Sequence, residues 1–115
     1  MKKNNNYKVK SRIWIEGSSG TFLAEGRIEL LKKIMKNGSI SRAAREMSMS
    51  YSKAWEMIDN LNKEADYPVV IKATGGKDGG GTIITAYGQR AITGFEKLNK
   101  KCQDFLEKEL QKIEI

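Results

Sequence analysis

The 115-residue chain is 39% hydrophobic and 30% charged, which is typical of a single soluble globular domain with a modest core. It contains no histidine and one cysteine, Cys102, which excludes histidine-dependent catalysis, a histidine-ligated zinc site and an internal disulfide. No apolar run approaches membrane length, and the N-terminal "MKKNNNYKVK" lacks the apolar core of a secretion signal. We therefore expect a cytoplasmic protein that uses no metal, no cofactor and no membrane.

The net charge of +7 is distributed unevenly along the chain. Residues 1–53 hold twelve Lys and Arg against four Asp and Glu, whereas residues 54–115 hold nine against ten. Such a field favours a polyanionic partner, with nucleic acid first and an acidic membrane surface second. The alternative is that the excess lysine only keeps the chain soluble.

An N-terminal β-hairpin is predicted over residues 8–24. Residues 8–15 alternate between apolar and basic side chains, "EGSSG" supplies a turn, and "TFLA" returns as the second strand. Trp14 and Tyr7 lie on or near the basic face of the first strand. Their pattern fits a phosphate contact and a dimer contact equally well.

Three helices are predicted over residues 26–66. Gly38 ends the first helix, and Ser39 and Ser50 cap the second and third. Adjacent small residues on the second helix allow another helix to pack very close. The apolar faces of the three helices are predicted to be Ile28, Leu31, Ile34 and Met35, then Ile40, Ala43, Ala44 and Met47, then Ala54, Ile58, Leu61 and Ala65.

A glycine-rich hairpin is predicted over residues 69–85, with five glycines among the seven positions from Gly75 to Gly81. A phosphate-binding loop would lead from a strand into a helix, and a linker would lack structured flanks. These glycines instead join one strand to another, which favours a wing. Lys72, Thr74 and Lys77 are then predicted to meet the phosphate backbone or enter the minor groove. Solvated hairpin lysines are the alternative.

One long amphipathic helix is predicted over residues 86–114, because apolar residues recur there every three or four positions and proline is absent. A helix of about 28 residues would reach roughly 40 Å and overhang so small a core. An overhanging apolar stripe implies a partner, and we expect a second copy of the chain. The predicted dimerisation residues are Ile92, Phe95, Leu98, Cys102, Leu106 and Leu110.

Three helices followed by a wing predict an α+β fold, mainly α, of the winged helix-turn-helix class, with residues 1–115 as one domain. The start of the third helix would enter the DNA major groove. Trp55, at the edge of the buried face, is expected to pack against a helix or the base of the wing. The predicted DNA contacts are Ser50, Tyr51, Ser52, Lys53 and Glu56 on the third helix, Ser41 and Arg42 on the second, and Lys72, Thr74 and Lys77 on the wing.

A family resemblance is carried by two segments, "GRIELLKKIMKNGSISRAAREMSMSYSKAWEMIDNLN" and "ATGGKDGGGTIITAYGQR". They resemble the DNA-binding domain of the molybdate-responsive transcriptional regulators, the ModE family, which is similar to the N-terminal domain of LysR-type regulators. The resemblance covers roughly residues 13–90. It implies a dimeric winged helix-turn-helix that binds a palindromic operator. By position, Ser50 to Lys53 open the recognition helix, Trp55 belongs to an Ala-Trp pair, and Gly75 to Gly81 form the wing.

Two departures from that family pattern change the expectations. Full-length molybdate regulators continue into an oxyanion-binding domain, and we expect no molybdate-binding or other effector domain in this chain. Ser48 occupies the turn position where such proteins often carry glycine, which costs little if its backbone stays near helical values.

The predicted function is sequence-specific binding of duplex DNA by a dimeric transcriptional regulator, and we expect no enzymatic activity, because the paired carboxylates imply no cleft. A protein-interaction or dimerisation module that has kept the fold and lost the operator is the alternative. Glu56 and Asp59 support it, because acidic side chains repel phosphates.

Overall fold

The computed structural model describes residues 4–72 and 81–115. Two antiparallel hairpins, β1 with β2 and β3 with β4, flank a group of three helices, and a long fourth helix follows. The predicted α+β winged helix-turn-helix architecture is confirmed. In chain order the elements are β1 Trp14–Gly17, β2 Gly20–Ala24, α1 Glu25–Asn37, α2 Ile40–Glu46, α3 Tyr51–Glu64, β3 Val70–Lys72, β4 Thr82–Ile84 and α4 Ala86–Leu110.

The first strand is shorter than the alternating sequence predicts. β1 begins at Trp14, which pairs with Ala24 at the end of β2. The residue after Ala24, Glu25, is the first residue of α1. Residues 8–13 therefore have no partner strand, although their apolar side chains remain more buried than their basic ones. They are tied instead to α4, where the side-chain amide of Gln103 donates to the carbonyl of Val9 at 2.7 Å.

Two predicted caps delimit the helices of the core. The Ser39 hydroxyl accepts a hydrogen bond from the Arg42 N–H at 3.1 Å, and the Ser50 hydroxyl accepts one from the Lys53 N–H at 3.0 Å. Each cap satisfies a backbone donor that the first turn of a helix leaves unpaired. Gly38 ends α1 with a left-handed φ of 68°.

The turn between α2 and α3 departs from the near-helical backbone considered for Ser48. Its φ is 55°, in the left-handed region that favours glycine. The Met49 N–H donates to the Ala44 carbonyl and the Ser48 N–H donates to the Arg45 carbonyl, which is the Schellman arrangement at a helix C-terminus. Two satisfied carbonyls therefore offset the steric cost of a side chain at this position.

A single apolar core lies between the helices and the two hairpins. Met35 was assigned to it from the sequence but is exposed, whereas Leu30, one position outside the predicted stripe, is completely buried. The first half of α4 closes the core. The buried apolar side chains are Leu23, Ile28, Leu30, Leu31, Ile34, Ile40, Ala43, Ala44, Ala54, Ile58, Leu61, Val69, Val70, Ile84, Ile92 and Phe95.

Helix α4 ends at Leu110, four residues before the predicted end, and it is capped at both ends. Thr85 accepts from the Gly88 N–H at 3.0 Å at its start. Asn4 is buried against its far end, where the side-chain amide donates to the carbonyl oxygens of Leu110 and Ile113. The molecule is 61 Å long and 29 Å by 22 Å in cross-section, so α4 extends well beyond the core. Within the described ranges, no helix is both long and apolar enough to cross a membrane.

Gly88 marks the closest approach of α4 to the wing, and its replacement tests that contact. A Cβ at this position would lie 2.6 Å from the carbonyl oxygen of Val69, whereas a Cβ at Gly94 would meet open space. We expect Gly88→Ala to lower the free energy of unfolding by about 1–3 kcal/mol through overpacking. Gly94→Ala should raise it by about 0.5–1 kcal/mol, since alanine favours helix. Urea unfolding followed by circular dichroism measures both, and equal effects would contradict the close approach.

Candidate nucleic-acid interface

The segment from α2 to the start of α3 presents an exposed polar surface. Ala43, Ala44 and Ala54 are buried at the contact between the two helices, which lets their backbones pack closely. The opposite side is open to solvent. The sequence-predicted contacts of this segment are all exposed: Ser41, Arg42, Ser50, Tyr51, Ser52, Lys53 and Glu56.

The charges on this surface are partly compensated within the chain. The Lys53 ammonium lies 3.6 Å from the Glu56 carboxylate, one turn further along α3, and both side chains are more than half exposed. An ion pair this exposed contributes at most about 1 kcal/mol, so a stronger anion displaces it easily. Arg42 makes no salt bridge with any residue in the described ranges. It is the more available cation of the two.

Asn62 joins α3 to the first strand of the wing. Its side-chain carbonyl accepts from the N–H groups of Val69 and Val70 at 2.8 and 3.2 Å, and its NH₂ donates to the Val70 carbonyl at 2.9 Å. Both valines are buried, so their backbone groups need protein partners. Sequence reasoning missed this residue, because nothing in a helical pattern shows that an asparagine pairs with a strand eight residues away.

The second strand of the wing is tied to the turn between α1 and α2. The Thr82 N–H donates to the carbonyl of Gly38 at 3.1 Å. A Cβ at Gly81 would lie 2.9 Å from the same carbonyl oxygen. The chain therefore passes so close to this turn at position 81 that glycine fits there best. The base of the wing is therefore held from two sides, by α3 and by the turn before α2.

Trp55 lies on α3 and packs against the first strand of the wing. The Lys72 ammonium lies 4.6 Å from the centroid of the Trp55 ring. The Tyr51 ring meets Trp55 edge to face, with centroids 6.2 Å apart. Of the predicted wing contacts, Lys72 is thus placed on the side of the wing that faces α3. Thr74, Lys77 and the glycines from Gly75 to Gly80 lie outside the described residues.

The N-terminal hairpin is held against the other end of α3. Glu64 accepts from the Ser19 N–H at 2.7 Å, and Arg27 donates to the Thr21 carbonyl at 2.6 Å. Burial lowers the pKa of Arg27, and the nearby charge of Glu64 opposes that shift. Arginine stays protonated at neutral pH under such a shift. Trp14 is exposed, and its indole N–H donates to Glu16 at 3.3 Å.

The predicted dimerisation stripe divides into two parts. Ile92 and Phe95 are only 4% exposed, because they pack into the core of their own chain, so their assignment to a dimer contact is wrong. Leu98 is 48% exposed, and Phe105, which the sequence analysis did not single out, is 61% exposed. The remaining predicted residues are half-buried: Cys102, Leu106 and Leu110.

No metal-binding site is found in the part of the chain that the structure describes. No group of three His, Cys, Asp or Glu side chains is close enough together there to hold an ion. The exposed surface around the start of α3 carries hydroxyls, cations and the Glu56 carboxylate. These are the groups that contact nucleic-acid phosphates and base edges.

Three helices packed against a two-stranded wing, with a serine-capped and exposed third helix, define the winged helix-turn-helix class of DNA-binding domains. The chain belongs to the family described as "Bacterial regulatory helix-turn-helix protein, lysR family", whose pattern matches residues 26–89, more than half of the sequence. The matched region runs from the start of α1 to the first turn of α4.

Several longer proteins are similar to this chain. It is 39% identical over 98 residues to the molybdenum transport protein ModE of Azotobacter vinelandii, covering 85% of this chain and 36% of that protein. It is 46% identical over 72 residues to the DNA-binding transcriptional dual regulator ModE of Escherichia coli K12, covering 63% and 28%. The molybdenum-pterin-binding protein MopB of Rhodobacter capsulatus is 40% identical over 77 residues, covering 67% and 28%. The chain thus spans about a third of the length of these relatives.

Asn62→Ala tests whether one side chain fixes the wing to the recognition helix. The change removes the partners of two N–H groups and one carbonyl at the buried residues Val69 and Val70, so we expect the free energy of unfolding to fall by about 1–3 kcal/mol. Asn60→Ala, on the exposed arc of the same helix, is the matched control and should change it by less than about 0.5 kcal/mol. Guanidinium unfolding measures both, and similar values for the two variants would contradict the anchoring role.

Proposed function

We propose that this chain binds duplex DNA in a sequence-specific manner and regulates transcription. The observation that carries the proposal is the exposed, serine-capped start of α3 beside the wing, within the region that matches the regulatory helix-turn-helix family. In this fold that helix start enters the major groove. Hydroxyl and lysine side chains at residues 50–53 then meet base edges and phosphates.

The wing supplies the second part of the proposed contact. Lys72 lies at the end of β3, next to α3, and we propose that it meets the backbone that flanks the groove. Thr74 and Lys77 are proposed to continue this contact. Arg42, at the start of α2, would add a phosphate contact on the other side of α3.

We propose that two copies pair through the overhanging half of α4. Leu98, Cys102 and Phe105 recur at spacings of four and three and so share one face of the helix. Leu98 and Phe105 are exposed, and pairing with a second copy would bury this helix face on both protomers. A two-fold dimer predicts DNA half-sites about 10 base pairs apart, or a multiple of that spacing.

The proposal is limited to DNA binding and regulation in the cytoplasm, without catalysis. The name of the Escherichia coli relative describes a DNA-binding transcriptional regulator, and the matched region there corresponds to 28% of that protein.

A protein-interaction module is the second candidate, and one observation favours it. Glu56 pairs with Lys53 and, with Asp59, places acidic groups on the exposed arc of α3. Acidic groups there weaken binding to phosphates, although a carboxylate can also accept from the amino group of cytosine.

Fluorescence anisotropy with the DNA upstream of the protein's own gene, and with a scrambled duplex, tests the proposed function. We expect tighter binding to the upstream duplex that survives moderate salt. Lys53→Met and Arg42→Met should each weaken binding about tenfold, because each removes a charge-assisted hydrogen bond. Each should also reduce the slope of log K against log salt by about 0.9 if the lost contact is a phosphate.

Lys100→Met, on the side of α4 opposite Leu98 and Phe105, is the matched control and should leave the affinity within about twofold, since we place it outside both the DNA contact and the dimer contact. Equal binding to both duplexes that is lost as salt rises would reduce the role to phosphate contact. No binding at low salt would contradict DNA recognition and favour the interaction module.

Phe105→Glu tests the proposed dimer without disturbing the core, because this side chain is 61% exposed in the single chain. We expect the unchanged protein to sediment as a dimer and the variant as a monomer, since a pair of buried carboxylates at a two-fold contact is strongly unfavourable. Lys100→Glu, on the side of the helix opposite Leu98 and Phe105, should leave the dimer intact. Sedimentation of the unchanged protein as a monomer at all concentrations would rule the pairing out.

A further inference from the structure

Trp55 lies at the junction of two proposed DNA-contacting elements, although it is not itself a proposed contact. It is partly buried on α3, with Tyr51 one turn before it and Lys72 of the wing above its ring. Tyr51 and Lys72 are themselves exposed. The indole therefore packs against two exposed side chains, one on α3 and one on the wing.

The register of the wing explains why Lys72 reaches this ring. Val70 pairs with Ile84, and Lys72 pairs with Thr82 two positions further along. Since side chains alternate along a strand, Lys72 shares the face of the buried Val70, which points toward α3 and the core. A lysine there needs a surface for its stem and a partner for its charge.

The Trp55 ring supplies both of these. Its face attracts the ammonium electrostatically at the observed 4.6 Å. A lysine ammonium carries three N–H donors, and the ring engages it from one side only, so donors remain available for a phosphate. A lysine held in place before binding loses less rotamer freedom when it meets its ligand.

We propose that Trp55 is a positioning residue for DNA binding, which holds Lys72 of the wing and Tyr51 of α3 in a fixed relation. This inference rests on the proposed function, since it concerns how that interface is organised. The contribution of Lys72 to DNA affinity then depends on the aromatic ring at position 55. Trp55 itself touches no DNA.

A double-mutant cycle measures this dependence directly. The affinity for the upstream duplex is determined for the unchanged protein, Trp55→Leu, Lys72→Met and the double variant, at several salt concentrations. We expect Lys72→Met to cost about two- to fivefold more affinity when Trp55 is present than when leucine replaces it. Lys72→Met should reduce the slope of log K against log salt by about 0.9 when Trp55 is present, and by clearly less when leucine replaces Trp55.

Conservative and control variants separate positioning from a general loss of structure. Trp55→Phe retains an aromatic face and should retain most of the coupling to Lys72. Lys63→Met, in the last turn of α3, should have the same small effect with and without Trp55. Circular dichroism establishes that each variant is folded. If Trp55→Leu does not fold, Trp55→Met replaces it in the cycle as a side chain without a ring.

The outcomes distinguish this inference from the proposed function. If the unchanged protein binds no duplex at low salt, the proposed function fails and this inference fails with it. If it binds, but Lys72→Met costs the same with and without the aromatic ring, only the positioning role of Trp55 is overturned.

Discussion

The fold depends on how α3 is fastened to the strand that follows it. Asn62 uses both ends of its amide on β3, which satisfies backbone groups that are shielded from water. Because α3 carries the exposed start and β3 leads into the wing, this side chain joins the two elements directly. Thr85, the residue between β4 and α4, adds a further link, because its backbone N–H donates a hydrogen bond to the Val69 carbonyl. The wing is thereby a fixed extension of the helical core at its base.

Charge and geometry act on different parts of this surface. The excess of positive charge in residues 1–53 provides long-range attraction for a polyanion without selecting a sequence. Selection would fall to the first turn of α3, where Lys53 is already paired with Glu56 in the free protein. Binding a phosphate would exchange one exposed ion pair for another, so the net gain depends on how well the surface is positioned. The hydrogen bonds that join α3 to the wing would contribute to that positioning.

The sequence could predict features that depend on neighbouring residues along the chain. Ser39 and Ser50 cap their helices as predicted, because a cap needs only the turn that follows it. Features that depend on distant segments were missed or misassigned. Periodicity identified the apolar stripe of α4 but could not show that Ile92 and Phe95 are covered by their own core. The pairing of Asn62 with β3 had no sequence signal, since amide side chains on a helix usually face solvent.

Amide chemical-shift mapping would show whether α3 and the wing form one DNA-facing surface. A ¹⁵N-labelled sample would be titrated with the upstream duplex at low salt. We expect the largest shifts to cluster at residues 39–42, 50–56 and 70–72, with smaller changes along the overhanging half of α4. Shifts concentrated at residues 4–13 and 98–110, with the start of α3 unchanged, would contradict it.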